Sequence, residues 1–136
     1  MTRTRRPSPA LTALALTCLL AASACSSGSG INQSTPESLA VDVVEAARQG
    51  QDVTAYALVD HNSPEVCTPD TCGDLTALRR AQDVCADLEG ELSAHVETAN
   101  RDDSSSVMVY VTTPDDESGF CGFHVSKQDG KWWLSD

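Results

Sequence analysis

Two periodicities divide the chain from Thr35 onward. Up to residue 88 the apolar positions recur every three or four residues, and from Glu91 they alternate. The first pattern belongs to helices with one buried stripe, the second to strands with one buried face. Thr35 is a good N-cap, with Pro36 at the first helical position and Glu37 in the first turn. Leu39, Val43 and Ala46 or Ala47 continue that helix until Gly50 stops it. Asp52 is expected to cap a second, shorter helix carrying Val53, Tyr56, Ala57 and Val59. Residues 60–73 (DHNSPEVCTPDTCG) read as a loop, being rich in Pro, Asp, Asn and Ser. A third helix is expected from Asp74 to Leu88, with Leu75, Leu78, Ala81 or Gln82, Cys85 and Leu88 along one stripe and Gly90 ending it.

The alternating region predicts strands near 91–100, 105–113, 119–127 and 131–135. Asp129-Gly130 between two alternating segments is a strong signal for a tight hairpin. With turns at 102–104, 114–118 and 129–130, Val96 falls opposite Val109, Val109 opposite Phe123, and Val125 opposite Leu134. One face then collects Leu92, Ala94, Val96, Thr98, Val107, Val109, Val111, Cys121, Phe123, Val125, Trp132 and Leu134. The other collects His95, Glu97, Met108, Tyr110, Phe120, His124 and Trp133. A slip of one residue in any strand would mix the two sets, so their coherence argues for this register. Helices first and an antiparallel four-stranded sheet last predict an α+β fold, the N-terminal helices packing on the apolar face.

Ahead of Thr35 the sequence changes character. Met1 to Arg6 (MTRTRR) is basic and Leu11 to Ala22 is an apolar run of about 12 residues, too short to span a bilayer of ~30 Å. Ala22-Ser23-Ala24-Cys25 follows, and small residues immediately before a cysteine resemble the lipobox of bacterial lipoproteins. That resemblance implies a diacylglycerol on the Cys25 sulfur and cleavage after Ala24. It divides the chain into a signal peptide (1–24), a lipidated cysteine with a flexible polar spacer (25–34) and a folded part (35–136). The expected location is the extracytoplasmic face of a cell membrane, held by the N-terminal lipid.

A second resemblance covers roughly residues 35–136. A capped helix, a short helix opened by Gly50-Gln51-Asp52 and carrying Tyr56-Ala57-Leu58, and the closing Asp129-Gly130-Lys131-Trp132-Trp133-Leu134 are similar to small secreted members of the cystatin-like cone superfamily named for nuclear transport factor two. Membership implies a curved sheet wrapped around helices, with a cone-shaped pocket to which Tyr56, Thr98, Phe123 and Trp132 would contribute. It does not imply one activity, since the superfamily holds isomerases, dehydratases and members without known activity.

The cysteines constrain the folded part further. Setting aside Cys18 and Cys25, four remain, and an even number in an exported domain argues for two disulfides with three pairings open. Cys85 lies on the inward stripe of the third helix and Cys121 on the inward face of its strand. This favours Cys85–Cys121 and leaves Cys67–Cys72 to close a tight loop. Cys67-x4-Cys72 lacks the C-x-x-C spacing of thiol oxidoreductases, and no second knuckle is present for zinc.

Charge narrows the function classes. Three of the nine basic residues (Arg3, Arg5, Arg6) precede Cys25, so six face all 20 acidic residues in the remainder, a balance of −14. Such a surface repels nucleic acid. The pocket face offers no carboxylate or histidine to act as a general base, and Tyr56 alone is a poor one. Asp60 and His61 read as a helix end and loop start. Glu97 and His124, two strand spacings or ~9.6 Å apart, are too wide for a shared metal, so neither a metal nor another cofactor is expected. The apolar outer-face residues Met108, Tyr110, Phe120 and Trp133 lie where no predicted helix covers them; a contiguous patch of that kind often marks a partner surface, the alternatives being sheet curvature, aromatic cross-strand pairing or cover from the linker. The expected function is therefore non-catalytic: binding a small apolar ligand in the pocket or an envelope protein on the outer face. The competing class is an isomerase- or dehydratase-like enzyme using the same pocket.

Overall fold

The structure, a computed structural model, describes residues 30–97, 105–116 and 121–136. Helix α1 (Pro36–Arg48) begins as its sequence predicts: the Thr35 hydroxyl accepts from the Ser38 N–H, and Pro36 needs no partner for a missing donor. Leu39, Ala40, Val43, Val44 and Ala46 form its buried face, which packs on strands β1 (Ser93–Val96) and β2 (Ser106–Thr112). At its far end Arg48 donates from both terminal nitrogens to Gly90 O, at 2.9 and 2.7 Å, and pairs with Glu45 at 3.3 Å. This fork ties the helix to the turn that precedes β1, where Gly90 adopts φ +101°.

The second expected helix is absent. In its place is a single 3₁₀ turn, Thr54–Tyr56, with Val53 rather than Asp52 at its N-cap; the Asp52 carboxylate accepts from the Thr54 N–H, and after the turn the chain becomes extended. The reason lies at the sheet edge: Leu58 N–H donates to Leu134 O and Ala57 bridges Leu134 in parallel. A continued helix would have left that edge unpaired. Leu58 in turn bridges Val66, and Cys67 N–H reaches Ala57 O, so residues 57–67 form a narrow ribbon closed by the turn at Asp60 to Ser63.

The segment expected as loop contains a short helix, α2 (Pro69–Cys72), opened by a capping box between Thr68 and Thr71. The third expected helix is present as three unlike turns: α3 (Thr76–Arg79), a π turn (Arg80–Val84) and a 3₁₀ turn (Cys85–Asp87). Its inward residues are those of the predicted stripe, Leu75, Leu78, Ala81 and Cys85 all being buried. Thr76 N–H is capped by the Asp136 carboxylate at 3.0 Å.

Strands β1, β2, β3 (Gly122–Gln128) and β4 (Lys131–Leu134) form an antiparallel meander in that order. Val96 pairs with Val109, Val109 with Phe123 and Val125 with Leu134, the expected register. Asp129 and Gly130 take φ 52° and 78°, positive at both positions as a type I′ turn requires. Val107, Val109, Val111, Phe123, Val125 and Leu134 are buried beneath the helices, whereas Leu92, Ala94 and Trp132 are half-buried around them. The architecture is thus α+β, a four-stranded open antiparallel sheet with helices on one face.

Both expected disulfides are present, Cys67–Cys72 with a Cα separation of 5.4 Å and Cys85–Cys121 with 5.0 Å. The latter joins the helical run to the sheet across 36 residues of sequence, the former across 5. Chain entropy predicts contributions of about 4 and about 2 kcal/mol respectively. Replacing Cys85 and Cys121 together with serine should therefore lower the urea-unfolding free energy roughly twice as much as replacing Cys67 and Cys72 together. Equal losses would show that native contacts, rather than loop length, set the contribution of each bridge.

Candidate functional site

Met108, Tyr110 and Trp133 lie on the sheet's second face, whose side chains form rows across the strands. In one row His95, Tyr110 and Gly122 are neighbours on β1, β2 and β3. The Tyr110 ring stacks on His95 with centroids 5.5 Å apart and planes 25° from parallel. The same ring leans over Gly122, where a built Cβ would stand 2.6 Å from the ring. At this first position of β3 the missing side chain is the space that lets tyrosine lie flat and meet histidine. In the next row Met108 faces His124. In the third, Ser126 faces Trp133, whose indole N–H donates to Gln128 O at 3.2 Å.

Met108, Tyr110 and Trp133 are half-buried, whereas His95, Glu97 and His124 are exposed. The surface is therefore mixed, with apolar faces presented between polar rims. Ser126 and Ser135 on this side are fully buried and share a 2.6 Å hydroxyl–hydroxyl hydrogen bond, a polar pair that alternation alone does not reveal. Phe120 lies outside the described residues, as do Thr98 and Cys25. Among the described residues no three His, Cys, Asp or Glu side chains gather where they could hold a metal ion.

Of the residues expected to line a cone pocket, the three described ones lie in the core or against it. Phe123 is buried in the core at 3 % exposure. Tyr56 and Trp132 pack against the core's rim while half-buried. Before Tyr56, the Asp52 carboxylate accepts from the hydroxyl and the N–H of Thr54, and these two bonds hold its pKa below the usual 3.8. Asp60 and His61 are exposed in the ribbon turn, where Asp60 accepts from Asn62 N–H at 2.7 Å. The described concavities lie elsewhere and are open. One of about 330 Å³ is lined by Asp74, Arg79, Arg80 and Asp83, and another of about 560 Å³ by the Pro69–Leu75 stretch with Val59 and Asp136.

A feature that sequence reasoning missed is the docking of the expected spacer. Gln33 O accepts from Trp132 N–H at 3.0 Å and Gln33 Nε2 donates to Trp132 O at 2.8 Å, while Asn32 N–H donates to the Asp42 carboxylate. With Leu58 N–H donating to Leu134 O, Trp132 and Leu134, the two β4 residues whose backbone points away from β3, are then both engaged. No periodic signal marks Gln33, because a single polar residue can cap a sheet edge without any repeat.

No known family, curated protein or solved structure matches this chain. Among the described residues no helix is long and apolar enough to cross a membrane.

The Tyr110 platform has a direct test. Gly122→Ala drives a methyl into the ring and should destabilise the protein by about 1–3 kcal/mol, with loss of the tyrosine near-ultraviolet dichroism that the stack supports. Wild-type stability and spectrum in that variant would show that the ring is free to move.

Proposed function

We propose that this chain is a lipid-anchored extracytoplasmic protein without catalytic activity, and that it recognises an envelope protein through the outer face of its sheet. The observation that carries the reading is the row of Tyr110 over Gly122 beside His95, with Met108 and Trp133 in the adjoining rows. No described helix packs on that face, and half-buried aromatic and methionine side chains within a polar rim are what protein interfaces favour. The anchor rests on Ala22-Ser23-Ala24-Cys25 and its apolar, basic-headed leader.

Kinship with the cystatin-like cone superfamily is part of the same proposal. Its support is the order of elements: a capped helix, further helical turns, then a four-stranded meander ending on the Asp129-Gly130 hairpin. A ligand pocket at Tyr56, Thr98, Phe123 and Trp132 is the lesser reading, since Phe123 already fills part of the core.

The test is site-specific photo-crosslinking in a membrane-anchored chain. A photoreactive residue in place of Tyr110 or Met108 should give a discrete adduct with one envelope protein, and the same residue in place of Asp83 on the helical side should not. Equal adducts at all three positions, or none at the sheet face, would contradict the proposal.

A further inference from the structure

The two edges of the sheet are treated differently. At β4, the outward backbone groups of Trp132 and Leu134 are occupied by Gln33 and Leu58. At β1 no described residue occupies them. Glu97 N–H donates to Met108 O, so Ser93, His95 and Glu97 turn their backbone toward β2 while Ala94 and Val96 turn theirs outward. No hydrogen bond among the described residues reaches those outward groups.

We propose that the open edge of β1 docks an extended, cationic segment of a partner protein, which joins the sheet as an added strand. This deepens the partner-binding reading above by naming the edge and the chemistry of its occupant. Charge selects that occupant. Ser93 and His95 on the outer face of β1 are exposed, as are Glu91 two residues before the strand and Glu97 immediately after it, whereas the described lysines of the sheet, Lys127 and Lys131, lie in the β3–β4 hairpin at the opposite edge. An incoming strand meets Glu91 at one end and Glu97 at the other, with Ser93 and His95 between them and no described lysine or arginine of the sheet. On the other face of β1, Leu92 and Ala94 are half-buried and apolar, so a segment alternating basic and apolar residues fits both sides.

A second copy of this chain is the wrong occupant. Antiparallel pairing of two β1 edges would bring together two chains that each carry −14 beyond residue 24, and head-to-tail pairing would need the β4 edge that Gln33 and Leu58 close. The brevity of β1 and its flanking charges are also the features that protect edges from indiscriminate pairing. They admit a partner that neutralises Glu91 and Glu97 and turn away others.

The experiment uses the full chain, purified in detergent with its disulfides intact, and a capped, fluorescent Lys-Val-Lys-Val-Lys peptide. Fluorescence anisotropy should show saturable binding, weakened at least tenfold by E91K/E97K and at least tenfold by N-methylation of the peptide backbone. Hydrogen exchange at the Ala94 and Val96 amides should slow when peptide is added, a readout that needs no variant. Three results overturn the inference: no binding, equal binding of the N-methylated peptide, or unchanged exchange at Ala94 and Val96. Binding that survives E91K/E97K would overturn the charge match. Because the peptide assay needs neither the lipid nor the Tyr110 face, its failure and a failure of the crosslinking test are separable.

Discussion

The structure depends on the covalent link between Cys85 and Cys121. The helical run from Thr76 to Asp87 changes hydrogen-bonding pattern twice within three turns, and a run so short and irregular has no stability of its own. It buries small residues, Ala77 and Ala81 beside Leu78, which contribute modest apolar area. The bridge pins its end to the start of β3, and the Asp136 carboxylate caps its beginning. With both ends held, Leu78 and Ala81 lie against the sheet and complete the cover that α1 begins over β1 and β2. That cover lies on one face, and no described helix packs over Tyr110, Met108 and Trp133 on the other.

The same arrangement explains how edges and faces divide their roles. The chain before α1 and the ribbon after it both return to β4, closing that edge with Gln33 and Leu58. The cost is the second helix, whose residues 57 and 58 are drawn into extended backbone. The opposite edge, where no described residue meets the outward groups of Ala94 and Val96, adjoins the face that carries His95, Tyr110, Met108 and Trp133.

Most of the sheet was legible because alternation is local and self-checking: a slip at Val109 would have exposed Val107 and Val111 together. Asp129-Gly130 named its own turn, and the inward positions of Cys85 and Cys121 named their pairing. The helices were less legible. Val53, Tyr56 and Ala57 carry helical spacing, yet the Leu134 carbonyl, 76 positions beyond Leu58, claims the Leu58 N–H; no local pattern reports a demand that distant. Helix α2 did have a signal, since Thr68-Pro69-Asp70 repeats the Thr35-Pro36-Glu37 start, but the surrounding Pro, Asp and Asn outweighed it. Of the candidate site, alternation placed Met108, Tyr110 and Trp133 on one face. The role of Gly122 beneath Tyr110 is a matter of side-chain reach across strands, which residue spacing does not encode.

The proposed anchor at Cys25 and the two disulfides are both addressed by one measurement: the intact mass of the chain recovered from a bacterial envelope. The account predicts a polypeptide that begins at Cys25, carries a diacylglycerol on that residue, and is four hydrogens lighter than its fully reduced form through two disulfides. A chain retaining residues 1–24, an unmodified Cys25, or the fully reduced mass would contradict it.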